Sequence, residues 1–368
     1  LKSESFAIYD LNHHLKNSFK DQKLVKFKKE WFFWDHLSKN IEKVDLEYLK
    51  KIEKKYDINL WKLAYGERVF SDFNEFYKFE SDQILSILEQ ECKFFERILD
   101  EINPKFLIIK LTDFHRNHLL VEMASRKNIK ILMLIPSKMG YKANIASKIN
   151  KFDEIPEQEL SNKTIDSNYF KKYDRFKQTN QIKSGGIGFS KKQKVLSAIK
   201  WALKTADKKY LETYDHYGVS VIKVIKSSFT GFFKIKLRKR YLDKKSSKEI
   251  IENEKYILFP LHVEPERNID IDAIFFNDQL EVVKKIAKSL PVDYLLYVKE
   301  HYNMIFRGWR KINFYKDICE LPNVKLIHPS VNPKKLIENS SLVITISGTM
   351  GLEAVVQGKP AIVFADVI

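Results

Sequence analysis

The stretch that most constrains this chain is Leu342 to Phe364. Leu342 to Ile346 is an unbroken apolar run, the pattern of a strand buried on both faces. It stops at Ser347-Gly348-Thr349, and a helical pattern starts at once with Gly351, Leu352, Glu353, Ala354, Val355 and Val356. Gly358-Lys359-Pro360 reads as the turn that ends that helix, and Ala361 to Phe364 reads as the next strand. Strand, small-residue turn, helix and strand in so short a span point to a parallel sheet with a right-handed crossover. The turn places backbone N–H groups and a helix N-terminus at the carboxyl end of a strand, where α/β proteins hold phosphates. Capping of the helix by Ser347 and Thr349 is the plainer reading of the same residues.

The alternation recurs upstream. Tyr256–Pro260, Tyr294–Val298 and Val324–Ile327 read as strands, with helical patterns over Asp278–Ser289, Phe314–Glu320 and Pro333–Asn339. Each strand runs out into polar residues: Pro260-Leu261-His262-Val263-Glu264-Pro265-Glu266-Arg267, then Lys299-Glu300-His301, then His328-Pro329-Ser330, then the opening turn. In an open parallel sheet these ends face one crevice. One histidine after a strand says little. Four consecutive strands that each deliver His or Ser/Thr, several with Lys, Arg or Glu nearby, mark a candidate site.

The roles follow from the chemistry. Backbone N–H groups of Ser347, Gly348 and Thr349 suit a phosphate. Lys299 and Arg267 offer positive charge to a leaving phosphate. His301 or His328 can donate to a phosphate or a sugar hydroxyl, Glu353 can accept from a ribose, and His262, Glu266 and Ser330 stand beside them. Blander readings exist: Lys299-Glu300 as a solvated pair, His328-Pro329 as a structural turn, and Glu353 as a residue favouring the helix dipole.

The amino-terminal part carries a second series. Ser5–Asp10 reads as a strand, and residues 20–80, with Glu30-Trp31-Phe32-Phe33-Trp34, read as helices with irregular connections. Ser81–Asp100 has the apolar spacing of an amphipathic helix, capped by Ser81 and ended at Asn103-Pro104. Phe106–Ile109 is then a strand, Thr112–Arg116 its loop, His118–Arg126 a helix and Lys130–Ile135 a strand. Asp113 or His115 in that loop can act as a general base on an acceptor hydroxyl; Asp113 can equally cap the helix. Lys138, Gly140 and Tyr141 can line the same cleft, while His13 and His14 read as surface residues.

The net charge of +17 is concentrated. Between Lys191 and Lys248 there are 17 Lys and Arg against 4 Asp and Glu, a net of +13, interleaved with Trp201, Tyr210, Tyr214, Phe229, Phe232 and Phe233. Such a segment implies an anionic partner or a solvated helical face. The two cysteines, Cys92 and Cys319, form neither a disulfide framework nor a zinc site, and a reducing cytoplasm is the simplest home. No apolar run approaches the roughly 18 residues of a membrane span. The chain stops just after a strand, so we expect a fragment cut at its C-terminus. No Walker lysine motif or GxGxxG occurs, and Asp270-Ile271-Asp272 follows a loop rather than a strand, so no metal is expected.

Taken together, PLHVEPER (Pro260–Arg267), the Asn277 and Gln279 region, AKSLP (Ala287–Pro291), LYVKEH (Leu296–His301), LPNVKLIHPS (Leu321–Ser330) and SGTMGLEAVVQGKP (Ser347–Pro360) resemble the capsule polysaccharide biosynthesis proteins. A weaker resemblance covers Phe106 to Ser147. Where relatives often have Lys-Glu-His-Pro, this chain has Tyr302 after His301, which implies a looser turn. The resemblance implies an α/β chain of two Rossmann-like domains facing a cleft in the GT-B manner. The expected division is 1–150 on the acceptor side, 151–250 as a basic, mostly helical insertion, and 251–368 for the nucleotide sugar. It further implies a glycosyltransferase of surface polysaccharide, related to transferases of 3-deoxy-manno-octulosonate (Kdo), with CMP-sugar favoured as donor and UDP- or GDP-sugar as alternatives. The acceptor is then a polysaccharide or glycolipid. Residues 191–248 would meet an anionic membrane surface, for a cytoplasmic protein peripheral to the inner face of the membrane. A sugar-nucleotide epimerase of the same architecture and a non-catalytic polysaccharide-export protein are the alternatives. Nucleic acid fits the charge but no binding motif.

Overall fold

The computed structural model describes residues 4–11, 24–37, 43–71, 75–136, 143–148, 213–251 and 254–365. Several expectations lie outside these residues: His13 and His14, Lys138 with Gly140 and Tyr141, much of the 151–250 insertion, and Trp201 and Tyr210 within it. The chain divides into two compact units. One is drawn from Leu1–Leu107, Asp113–Lys130 and Gly188–Lys226, the other from Ile108–Thr112, Ile131–Ile187 and Ser227–Ile368. Each unit is therefore assembled from several segments of the chain.

In the first unit β1 (Phe6–Tyr9) pairs in parallel with β2 (Lys29–Phe32). Glu30-Trp31-Phe32, expected in a helix, thus forms a strand, and a short 3₁₀ helix Phe33–His36 follows. Among the described residues of this unit the longest helix spans Ser81–Ile102. Its cap is Glu80 rather than Ser81: Gln83 Oε1 accepts from the Glu80 N–H at 2.9 Å in a reciprocal capping box. Its apolar stripe buries Leu88, Cys92, Phe95 and Leu99. The helix His115–Arg126 packs on it.

Two further strands, β3 (Phe106–Lys110) and β4 (Lys130–Pro136), form a sheet with β5 (Ala143–Ala146), β4 and β5 antiparallel. A basic helix, Val221–Lys245, follows.

The carboxy-terminal sheet has the order β10-β9-β6-β7-β8 and is parallel throughout. Its strands are β6 (Tyr256–Pro260), β7 (Leu295–Lys299), β8 (Val324–Ile327), β9 (Leu342–Thr345) and β10 (Ala361–Val363). Every residue of β6 is buried, as its apolar run requires of a central strand. Alternate residues face opposite layers. Ile257, Phe259, Leu296 and Val298 pack with Val283, Ile286, Tyr315 and Ile318. Tyr256, Leu258, Tyr297 and Val343 pack with Leu336, Ile337 and Ala354. The Tyr256 and Tyr297 rings stack 3.9 Å apart across neighbouring strands, and Tyr256 donates to the Leu336 carbonyl at 2.8 Å. The helix Thr349–Val356 ends as expected: Gly358 takes φ +73, a value that disfavours any residue with a Cβ.

Candidate functional site

In the parallel sheet the turn after β9 is built around His262. The His262 Nε2 accepts from the Ser347 N–H at 3.2 Å, and Thr345 Oγ1 accepts from the Gly348 N–H at 3.1 Å. A Cβ on Gly348 would lie 2.8 Å from Thr345 Oγ1 and 3.1 Å from His262 Nε2, so only glycine lets the backbone approach. Ser347 does not cap the helix: its hydroxyl donates to the Asn268 carbonyl at 3.2 Å, and the Gly348 N-cap position has no side-chain cap. Thr349 donates to Glu353 Oε1 at 3.1 Å. The turn is thus held by His262 in the loop after β6, by Thr345 at the end of β9 and by the Asn268 carbonyl, and the Gly348 N-cap offers no side-chain cap.

His262 is itself clamped. Gln279 Oε1 accepts from its backbone N–H at 2.7 Å, and Gln279 Nε2 donates to its carbonyl at 3.3 Å. Arg310 also donates to that carbonyl and pairs with Glu264. Arg310 Nε meets Glu300 Oε2 at 3.0 Å, and the Tyr315 hydroxyl donates to the same oxygen at 2.8 Å. Glu300 Oε1 accepts from the His301 N–H at 2.6 Å. Lys299-Glu300 is therefore no solvated pair; the two are 6 % and 0 % exposed.

Lys299 is the unusual member. Its Nζ donates to the carbonyls of Pro329, at 3.2 Å, and Glu300, at 3.3 Å. It forms no ion pair among the described residues, and burial pulls its ammonium down to about 8. A buried cation with neutral acceptors alone is costly unless an anion joins it.

Other expected phosphate ligands are occupied. Arg267 pairs with the buried carboxylate of Asp272 and donates to the Thr112 carbonyl, so its charge is neutralised within the fold. His328 Nε2 lies 3.0 Å from Asp243 Oδ1, and its Nδ1 lies 2.5 Å from Ser330 Oγ and accepts from the Ser330 N–H at 3.2 Å. Burial, against the pull of Asp243, lowers its affinity for a proton. Both His328 nitrogens and Ser330 Oγ are thus engaged in fastening the end of the basic helix to β8, and the structural-turn reading holds. His301 caps the 3₁₀ helix Tyr302–Arg307, its Nδ1 accepting from the Asn303 N–H at 3.1 Å, so Tyr302 does not loosen the turn. Glu266, half-buried, stands at the N-cap of the short helix Arg267–Asp270 without a side-chain capping bond.

In the first unit the helix expected from His118 begins at His115, and this moves His115 out of the loop. His115 is 1 % exposed, its Nδ1 2.5 Å from Glu67 Oε2 and its Nε2 2.7 Å from Glu91 Oε2. Glu67 also accepts the His115 N–H at 3.0 Å, taking the capping role considered for Asp113. Burial disfavours the charged ring, but Glu91 and Glu67 outweigh it and hold His115 protonated. It cannot serve as the general base. Arg116 reaches Asp10 at 2.8 Å and the Tyr214 hydroxyl at 3.2 Å, and that hydroxyl donates to Glu91 at 3.1 Å. Beside them, Asp215 Oδ1 is buried without a hydrogen-bond partner among the described residues; burial, opposed by Arg116, pushes its carboxyl up to about 7. Asp113 is half-buried, and its carbonyl accepts from Arg68 at 2.6 Å.

A family model described as capsule polysaccharide biosynthesis protein matches residues 168–367, more than half of the chain. The chain belongs to that family. No curated protein matches it. Among solved structures it is similar to the β-Kdo 2,7 transferase of KpsC from Thermosulfurimonas dismutans, at 12 % identity over 84 % of this chain and 76 % of that one, with a TM-score of 0.36. The β-Kdo 2,4 transferase of the same KpsC is 20 % identical over 36 % of this chain and 44 % of that one, with a TM-score of 0.26. UDP-GlcNAc 2-epimerase from Neisseria meningitidis, bound to UDP-GlcNAc, is 14 % identical over 98 % and 82 %, with a TM-score of 0.25. Similarity this distant identifies neither donor nor acceptor.

In this member of the capsule family, sequence reasoning missed Thr345 and Arg310, and it named Glu264, Gln279 and Glu300 without seeing that they clamp His262 and Arg310. Thr345 carried one available signal, a hydroxyl inside an otherwise apolar strand. Arg310 carried none: it lies ten residues beyond Glu300, in no motif, and acts only through the folded loop.

Proposed function

We propose that this chain is a glycosyltransferase of capsule polysaccharide assembly, moving a sugar from a nucleotide-sugar donor to a glycan or glycolipid acceptor at the inner face of the membrane. The observation that carries this reading is the pairing of an uncapped small-residue turn, Ser347-Gly348-Thr349, with the buried cation Lys299 in one sheet. The positive end of the helix that follows the turn draws the donor phosphate, the Ser347 and Gly348 N–H groups being tied to His262 and Thr345, and Lys299 neutralises the charge that develops as the nucleotide leaves. Glu353 reaches the ribose, and His301, its Nδ1 engaged by the Asn303 N–H, donates from Nε2 to phosphate or sugar. Asp113 and Glu266 are the carboxylates proposed to activate the acceptor hydroxyl, His115 having been withdrawn. No metal is invoked. On the family resemblance, CMP-sugar is the favoured donor and UDP- and GDP-sugars are the alternatives.

The test is a thermal-shift and calorimetric screen against CMP-, UDP-, GDP- and CDP-linked sugars, followed by mass analysis of products. One nucleotide sugar should stabilise the protein and extend an acceptor glycan. Gly348→Ala, which drives a methyl against Thr345, should weaken that donor at least about tenfold, about 1.4 kcal/mol. Stabilisation by none of the ligands overturns the reading. A ligand returned with its sugar epimerised replaces it with the epimerase.

A further inference from the structure

The helix Val221–Lys245 has 25 residues, and only Leu242 is buried. In its carboxy-terminal part it is held by one side. Arg238 donates to the carbonyls of Gly308 and Trp309 at 3.3 and 3.2 Å, and Ile235 packs where a Cβ on Gly308 would fall. About half a turn away from Arg238 and Leu242 lie Phe229, Phe232 and Phe233, exposed by 68 %, 64 % and 51 %. Their rings touch one another, with Phe233 5.2 Å from Phe229 and 5.6 Å from Phe232. Leu237, 57 % exposed, extends the patch. A helix that turns three phenylalanines outward has no hydrophobic reward for doing so unless something apolar covers them.

The charge identifies the cover. Lys234, Lys236, Arg240, Lys244 and Lys245 follow the aromatic patch on the same helix, all exposed and none in an ion pair among the described residues. A second copy of this face would bring like charges together. An acidic glycan or a nucleic acid would satisfy the lysines but leave the rings in water. An anionic bilayer surface satisfies both, with rings at the acyl boundary and ammonium groups at the headgroups. We infer that the Phe229–Phe232–Phe233 face of this helix, with its basic flank, lies in the interface of an anionic phospholipid membrane. No helix among the described residues is long and apolar enough to cross a membrane, so the helix would lie along the surface. This rests on the membrane part of the proposed function and not on its donor site.

The test is co-flotation of the whole chain with vesicles of phosphatidylcholine alone and of phosphatidylcholine mixed with phosphatidylglycerol. Binding should need the anionic lipid and weaken with salt. Phe229→Ser/Phe232→Ser/Phe233→Ser should abolish it, and Lys236→Gln/Arg240→Gln should reduce it on the order of tenfold. Val292→Ser, at another fully exposed apolar position, should change nothing. No flotation, equal flotation on both vesicles, or retention by the triple-Phe variant overturns the inference. So does a salt-independent dimer that the triple-Phe variant dissolves. Donor binding measured on the same variants should be unchanged, so a failure of the membrane face and a failure of the donor site are read separately.

Discussion

Two groups of polar residues stand at the carboxyl ends of strands, and they are built on opposite plans. In the first unit His115 sits between Glu67 and Glu91, and Arg116 between Asp10 and Tyr214. Both of these cations have a carboxylate or a phenol against them. In the carboxy-terminal sheet, Arg267 and Arg310 are likewise closed by Asp272, Glu264 and Glu300, but Lys299 meets only backbone carbonyls. Position after a strand is therefore a weak guide to function. What separates a binding site from an internal strut is whether the charge is already balanced within the fold.

The largest effect should come from the closed cluster. His115→Ala removes the one imidazolium between two fully buried carboxylates and should destabilise the protein by about 3–5 kcal/mol in chemical denaturation. If His115→Ala instead melts like the parent and loses only transfer, His115 touches the reacting groups and the contrast collapses.

At the open site the sign reverses. An unfolded Lys299 keeps its proton to about 10.5, the folded one only to about 8. The folded state thus bears a penalty for the charged lysine below pH 8, on the order of 3 kcal/mol, which fades between pH 8 and 10.5. Lys299→Met should stabilise the ligand-free protein at pH 7 by about 1–3 kcal/mol while weakening donor binding at least about tenfold. In the parent, donor affinity should be flat below pH 8 and fall about tenfold per pH unit above it, as the ammonium that meets the phosphate is lost. Flat affinity through pH 9, or parent-like binding by Lys299→Met, would separate this lysine from the phosphate.

The sheet was legible because its signals are local. Tyr256–Pro260 and Val324–Ile327 are bounded as their apolar runs suggest, and the turn at Ser347–Thr349 follows directly from the change of pattern. The ends of the strands named the right neighbourhood. Their individual roles were not legible, because charge balance is a long-range property. Nothing near Arg267 in sequence announces the Thr112 carbonyl, and nothing near His115 announces Glu67, 48 residues earlier. The helix start at His115 was also hidden, since Phe114 at the N-cap offers no capping side chain. Glu30–Phe32 misled because an aromatic-rich, charged stretch shows no clear period, and its pairing with β1 is decided by the fold.

The smallest expected effect tests the comparison where it is least obvious, at His328. It follows a strand, it is a histidine, and its neighbour Lys299 is open to an anion, yet its own nitrogens are spoken for. Ser330 donates its N–H to Nδ1, so the ring carries its proton on Nε2, toward Asp243. Burial favours that neutral form. His328→Gln gives up a half-buried contact between the basic helix and β8 and should lower stability by no more than about 1 kcal/mol. Because the imidazole fastens the scaffold and leaves the phosphate to the turn and to Lys299, donor affinity should stay within about twofold of the parent, a shift of about 0.4 kcal/mol. A tenfold loss in calorimetry would place His328 on the donor and return it to the open site.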